Sequence, residues 1–134
     1  MILEKAILAA HKLLRENGIK SAKLDSEILM SEVINKDRTF MILNSNYELK
    51  NGSLIKFKNL IQQRSIGTPI SYLIGKKNFW NYEFKINNNV LIPRPDTELI
   101  IQETLKLMKN KNKLRLLDIG TGSGCIILTL LKEL

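Results

Sequence analysis

Seven residues near the C-terminal end of the sequence have the composition of a ligand-binding loop. Residues 118–124 read D-I-G-T-G-S-G, after the apolar run L-R-L-L at 114–117 and before the apolar run C-I-I-L-T-L-L at 125–131. This order predicts a buried strand, a glycine loop and a helix. Glycines let the backbone approach a ligand closely, and the first N–H groups of the helix then face that ligand.

Three ligand chemistries use loops of this kind. A nucleoside-triphosphatase loop requires G-x-x-x-x-G-K-[S/T], but the sequence contains no Gly-Lys-Ser or Gly-Lys-Thr. A dinucleotide loop requires G-x-G-x-x-G, and Cys125 occupies the position of the third glycine. An S-adenosylmethionine loop of the form D-x-G-x-G-x-G fits every fixed position. There the acid would help to hold the cationic amino-acid end of the ligand, which carries no phosphate. A glycine-rich turn without a ligand is the remaining alternative.

Helical spacing of apolar residues dominates the segment before this loop. Residues 2–17, 21–34 and 52–64 repeat apolar positions at intervals of three and four, and a short apolar segment ends at Gly75. Residues 1–75 are therefore predicted to form an all-α bundle of four or five elements.

After Gly75 the pattern changes to that of a β-hairpin. Residues 79–86 alternate aromatic and polar side chains, the three asparagines at 87–89 predict its turn, and the apolar residues 90–92 predict its return strand. Pro95 is expected to start a helix, and residues 110–113 are expected to form a polar loop. The fold class is thus α/β overall, with a helical bundle at 1–75, a hairpin joint at 76–93 and an incomplete Rossmann-like domain at 94–134.

Composition points to a soluble intracellular protein. The net charge of +8 favours polyanionic partners in general, but the lysine-rich composition is explained more simply by a solvated surface than by a nucleic-acid site. The single cysteine excludes an internal disulfide and a thiolate zinc cluster. The apolar run at 125–131 is too short to span a bilayer. The sequence therefore predicts a cytoplasmic location and no DNA or membrane partner.

Three stretches resemble, in order and spacing, the release-factor glutamine methyltransferase family, also called HemK-type. They are G-T-P-I-S-Y-L-I-G at 67–75, V-L-I-P-R-P-D-T-E at 90–98 and L-L-D-I-G-T-G-S-G at 116–124. The resemblance implies methyl transfer from S-adenosylmethionine to the glutamine amide in the Gly-Gly-Gln motif of class-1 peptide-chain release factors, in translation termination near the ribosome. It implies a class I methyltransferase domain and a bundle that recognises the release factor. The implied cofactor-binding residues are Asp118, Gly120, Thr121, Gly122, Ser123, Gly124, Arg94, Pro95 and Thr97.

The sequence departs from the family in one respect. The family grips the glutamine amide with an Asn-Pro-Pro-Tyr motif, and the prolines here, Pro69, Pro93 and Pro95, form no Pro-Pro pair. The chain is therefore expected to be a truncated, inactive member, with no catalytic residue and no metal ligand assigned. The alternatives are a non-catalytic helical module that binds a release factor or ribosomal protein, and a fragment of the sister family that methylates a ribosomal protein.

Overall fold

The computed structural model describes residues 1–108 and 114–134, so the polar loop predicted at 110–113 lies outside the described residues. The chain divides into two compact units, Met1–Ile74 and Gly75–Leu134. No helix in the described ranges is long and apolar enough to cross a membrane.

The first unit is the expected all-α bundle. Its helices, α1 to α5 in chain order, span Leu3–Glu16, Ala22–Ile34, Arg38–Leu43, Asn51–Ser65 and Ile70–Ile74.

Apolar spacing explains why α1 forms and which side it buries. Leu3, Ala6, Ala10 and Leu14 recur at intervals of three and four, and all of them are buried. Leu29 and Met30 of α2 are buried in the same cluster. Phe57 and Ile61 of α4 complete the core of this unit.

A buried ion pair lies beside this apolar core. Asp25 on α2 is 4% exposed, and its Oδ2 accepts a hydrogen bond from Arg64 Nε on α4 at 2.8 Å. Ser21 Oγ donates to the same oxygen at 2.8 Å, and Arg64 Nη1 donates to the Thr68 carbonyl at 3.1 Å. The pair therefore joins two helices to the loop that leads into α5.

The second unit contains the hairpin, but the predicted turn position was wrong. Strands β1, Lys76–Phe79, and β2, Tyr82–Lys85, pair antiparallel with Phe79 opposite Tyr82. The two-residue turn is at 80–81, where Trp80 adopts a φ of 55°. The asparagines at 87–89 do form a turn, closed by a 3.2 Å bond from Val90 N to Asn87 O. Residues 90–92 nevertheless form no strand, because the hairpin has already closed at Trp80.

Two helices pack with the hairpin to form the second core. A single 3-10 turn, Pro95–Thr97, precedes α6, Glu98–Met108, and the chain then reaches α7, Cys125–Glu133. Phe79 from β1, Ile101 from α6 and Leu130 from α7 are buried together.

The strand expected at 114–120 is not formed. Among the described residues the only ladder is β1–β2, so no neighbouring strand is available to pair with this segment. Its side chains still alternate, since Leu116 packs on the second core whereas Leu117 is 86% exposed. The fold class is otherwise as expected, with a helical N-terminal domain followed by a small hairpin and two further helices.

Candidate functional site

The glycine loop lies between the unpaired segment and α7, and its backbone requires glycine. Gly120 has a φ of 82° and Gly124 a φ of 75°, in the left-handed region that other residues rarely adopt. A Cβ on Gly124 would also lie 3.2 Å from Leu128 Cδ1. Residues 120–122 are exposed, so their backbone is accessible to a ligand.

Short hydrogen bonds fix the shape of the loop. Thr121 Oγ1 donates to the Asp118 carbonyl at 3.0 Å, and Gly124 N donates to the Thr121 carbonyl at 2.8 Å. Leu128 N donates to the Gly124 carbonyl at 2.9 Å, which is the first helical bond of α7. These bonds therefore preorganise the loop, which holds one conformation before any ligand binds.

The carboxylate of Asp118 has an unused acceptor. Its Oδ2 is buried and has no hydrogen-bond partner among the described residues. A buried acceptor without a partner costs about 1–3 kcal/mol, and more when it is charged. Such a group at a glycine loop is suited to a cationic or N–H-donating ligand group, as the ammonium of S-adenosylmethionine would be.

The start of α7 offers the complementary charge. Gly124 is its N-cap residue and has no side chain to cap the helix. The first amides of a helix carry partial positive charge and favour a negatively charged group. A carboxylate acceptor at one end of the loop and amide donors at the other fit the ammonium and carboxylate of an amino-acid ligand, so the residues present fit this cofactor.

Substitution of Gly124 by alanine is expected to destabilise the second unit by about 1–2 kcal/mol. The left-handed backbone is unfavourable for alanine, and its Cβ would crowd Leu128. Urea unfolding followed by the fluorescence of Trp80, the only tryptophan, measures this loss.

The matched control is Gly52→Ala in α4, where φ is not positive and a Cβ would meet nothing within 4 Å. This change is expected to stabilise the first unit by up to about 1 kcal/mol, measured by circular dichroism. Equal effects of the two substitutions would contradict the conformational requirement at Gly124.

The structure shows no bond, among the described residues, between the glycine loop and the three cofactor-binding residues predicted within 90–98. Arg94 and Pro95 are exposed and Thr97 is half-buried, with Thr97 N bonded to the Arg94 carbonyl at 3.1 Å. Within the described parts of the chain, no hydrogen bond or ion pair links these three residues to residues 118–124. Their assignment to the cofactor pocket therefore stays a prediction.

A cluster that sequence analysis missed holds the hairpin to the helices. Trp80 N donates to Glu98 Oε1 at 2.9 Å, at the start of α6. Glu133 Oε1 on α7 accepts from Trp80 Nε1 at 3.1 Å and from the Tyr82 hydroxyl at 2.9 Å. Lys132 Nζ lies 4.6 Å from the centre of the Tyr82 ring. Glu98 is 18 residues from Trp80 in sequence, and Lys132 and Glu133 are 50 to 53 residues from Tyr82 and Trp80, so no local pattern indicates these contacts.

The hydrogen bond to Glu133, with desolvation and the negative charge of that carboxylate, raises the pKa of Tyr82 above its ordinary value of 10.0. The stabilising contribution of this bond is present below the unfolded pKa and is lost as the pH rises through the higher folded pKa. Glu133→Gln is therefore expected to lower the pKa of Tyr82 toward 10.0.

Tyrosine ring NMR, assigned with Tyr82→Phe, measures this pKa. Glu83→Gln is the control, because it also removes a carboxylate from the hairpin. That carboxylate lies 3.7 Å from Lys76 Nζ and is not a cause of the raised Tyr82 pKa. An unchanged Tyr82 titration in Glu133→Gln would rule out the proposed cause.

Comparisons with known proteins agree with the two-unit organisation of the chain. The family described as the PrmC N-terminal domain matches residues 5–75. A release factor glutamine methyltransferase of Buchnera aphidicola subsp. Baizongia pistaciae is 45% identical over 113 residues, covering 84% of this chain and 41% of the relative. The proteins of that name from Clostridium botulinum and Clostridium acetobutylicum are each 36% identical, covering 97% and 98% of this chain.

The chain spans less than half the length of these relatives, with 46% of each clostridial protein covered. The match to the PrmC N-terminal domain includes more than half of the 134 residues, and the relatives extend the similarity through the glycine loop. The chain therefore belongs to the release factor glutamine methyltransferase family.

Proposed function

We propose that this chain forms the recognition domain and the start of the cofactor site of an S-adenosylmethionine-dependent protein methyltransferase. Its substrate is the glutamine side-chain amide in the Gly-Gly-Gln motif of class-1 peptide-chain release factors. The observation that carries this proposal is the buried Oδ2 of Asp118 beside a glycine loop, an atom with no hydrogen-bond partner in the part of the chain that the structure describes, in a chain of this family. S-adenosylmethionine, when bound, supplies an electrophilic methyl group on a sulfonium sulfur.

The residues of the loop have distinct roles in holding that cofactor. The Asp118 carboxylate accepts hydrogen bonds from the ammonium of the cofactor, which gives the buried Oδ2 its partner. The backbone of residues 120–124, that is Gly120, Thr121, Gly122, Ser123 and Gly124, contacts the rest of the amino-acid end. Arg94, Pro95 and Thr97 complete the pocket wall in this proposal, as the family resemblance implies.

The first unit supplies recognition of the protein substrate. The match to the PrmC N-terminal domain covers residues 5–75, and the first compact unit, Met1–Ile74, does not contain the glycine loop. We assign to them the binding of the release factor, which places the protein in the cytoplasm and near the terminating ribosome. No DNA or membrane partner belongs to this function.

The 134 residues by themselves are proposed not to transfer methyl groups. A glutamine amide is a poor nucleophile and must be held in line with the methyl group, and such positioning contributes about 7–11 kcal/mol to a reaction. The Asn-Pro-Pro-Tyr motif that provides this grip in the family is absent from the sequence. The purified chain with S-adenosylmethionine and a release factor is therefore expected to leave the glutamine unmodified.

A chimera tests the proposed function. Residues 1–134 are joined to the part of the Clostridium acetobutylicum relative that follows its matched segment, because that match covers 98% of this chain. The chimera is expected to add a single methyl group to the Gly-Gly-Gln glutamine of a release factor, detected by peptide mass spectrometry. A release factor with alanine at that glutamine and a chimera carrying Asp118→Ala are the controls, and both are expected to show no methylation.

Two results would contradict the proposal. One is a folded chimera that binds S-adenosylmethionine but leaves the release factor unmodified. The other is methylation of a ribosomal protein in place of the release factor, which would identify the sister family as the correct one.

A further inference from the structure

A groove runs between α1 and α4 of the first unit. Its volume is about 580 Å³. Ala6 and Ala10 on one side and Phe57 and Ile61 on the other are lining residues, and each is buried. Leu13 also lines the groove and is 42% exposed, so apolar surface is accessible from outside. The residues that line the groove belong to the first unit, so its formation does not depend on the glycine loop or on a bound cofactor.

The shape of the groove matches a helix and not a compact small molecule. Its lining residues extend from Ala6 on α1 to Asn17, the C-cap residue of that helix, and from Leu54 to Ser65 on α4. Eleven residue steps along a helix correspond to about 16 Å. Helical partners that bind in grooves use apolar side chains at positions i, i+4 and i+7, which span about 10 Å along the axis.

The charge around the groove is positive. Among the described residues that line it, none is acidic, and the one with a charged side chain is the exposed Lys58. The whole of α4 contains no aspartate or glutamate. On α1, the exposed Lys5, Lys12 and Glu16 lie along the same side of the groove-lining face by helical geometry, with Lys12 3.9 Å from Glu16, so this side of the rim carries one net positive charge. The rim therefore favours a partner with acidic side chains beside its apolar ones.

We infer that this α1–α4 groove docks an acidic amphipathic helix of a partner protein. Leucine-sized side chains of that helix fill the groove between Ala10 and Phe57, and glutamates on its flanks approach Lys58 and Lys5. The docking surface is separate from the proposed cofactor site, so it can succeed or fail in tests independently of methyl transfer.

Binding of two designed peptides to the full chain tests this inference. One peptide has leucine at i, i+4 and i+7 and glutamate at its flanking positions, and the other has lysine in place of every glutamate. Fluorescence anisotropy of the labelled peptides is expected to show saturable binding of the acidic peptide, weakened at least tenfold for the basic one. Added salt is expected to weaken the acidic complex.

Two charge reversals on the same helix locate the site. Lys58→Glu faces the groove, whereas Lys56→Glu, two residues and about 200° away around α4, does not. Lys58→Glu is expected to weaken the acidic peptide at least fivefold and Lys56→Glu less than twofold. Ala9→Trp, at an exposed lining position of α1, is expected to block binding by occupying the groove. Circular dichroism confirms that each variant is folded.

Three outcomes would overturn the inference. The first is the absence of acidic-peptide binding at millimolar concentration. The second is equal weakening by Lys58→Glu and Lys56→Glu, which would show attraction by overall charge only. The third is competition for the groove by a single-stranded RNA oligomer, or concentration-dependent dimerisation that Ala9→Trp abolishes, since either would identify a different occupant.

Discussion

Replacement of Asp25 by alanine is expected to lower the free energy of unfolding of the first unit by about 3–5 kcal/mol. The side chains of Arg64 and Asp25 are only 16% and 6% exposed, and they are joined at 2.8 Å. Without the carboxylate, the guanidinium of Arg64 stays buried without its counter-charge, and Ser21 Oγ loses its acceptor. Urea unfolding monitored by circular dichroism measures the loss, since this unit holds five of the helices described above.

A matched surface pair provides the control for Asp25. Lys12 and Glu16 are 79% and 60% exposed and lie 3.9 Å apart, so Glu16→Ala is expected to cost less than about 0.5 kcal/mol. The double variant Asp25→Ala, Arg64→Met is expected to recover much of the stability lost in Asp25→Ala, because no unpaired charge remains buried. If Asp25→Ala cost no more than Glu16→Ala, the buried pair would not be holding α2 to α4.

Substitution of Asp118 by alanine is expected to abolish binding of S-adenosylmethionine without destabilising the second unit. Oδ2 of this carboxylate has no hydrogen-bond partner within residues 1–108 and 114–134, so its removal relieves a desolvation cost and is expected to raise the free energy of unfolding by up to about 1 kcal/mol. The same removal eliminates the acceptor proposed for the cofactor ammonium. Loss of binding together with unchanged or increased stability distinguishes a ligand-binding residue from a structural one.

Two further variants refine the Asp118 experiment. Asp118→Asn keeps the shape of the side chain but not its charge, and it is expected to weaken binding at least tenfold. Glu103→Gln removes an exposed carboxylate that is bonded to Lys106 in the same unit, and no change in binding is expected. Destabilisation by Asp118→Ala of 2 kcal/mol or more, roughly the cost of a lost buried hydrogen bond, would show that the carboxylate supports the apo fold.

Local patterns in the sequence predicted the bundle, because apolar spacing along one helix determines which face is buried. Leu3, Ala6, Ala10 and Leu14 are the clearest example. The position of the glycine loop also followed from sequence, because its glycines adopt positive φ at fixed intervals.

Features that depend on distant residues were missed. The ion pair between Asp25 and Arg64 joins residues 39 positions apart, and neither one has a local signature. The hairpin turn was misplaced because the asparagines at 87–89 are stronger turn formers than Trp80, whose positive φ is unusual for a bulky residue. Glu98 and Glu133 hold Trp80 in place, and their bonds are visible only in three dimensions.

The strand predicted at 114–120 shows the limit of a one-dimensional pattern. An apolar run specifies that a segment can be buried, but a strand forms only when a neighbour pairs with its backbone. Leu116 is packed and Leu117 is exposed, as in a strand, even though the segment lacks that pairing.

The most direct test of the proposed cofactor site is an NMR titration of the 134-residue chain with S-adenosylmethionine and, separately, with NAD⁺. We expect S-adenosylmethionine to cause saturable shifts of the Gly120, Gly122 and Gly124 amides in the millimolar range. Gly18 and Gly52, in the first unit, are internal controls that should not shift. NAD⁺ should leave all five resonances unchanged. Loop shifts with NAD⁺ alone, or no loop shift with either ligand, would contradict the assignment of Asp118 and the glycine loop to S-adenosylmethionine.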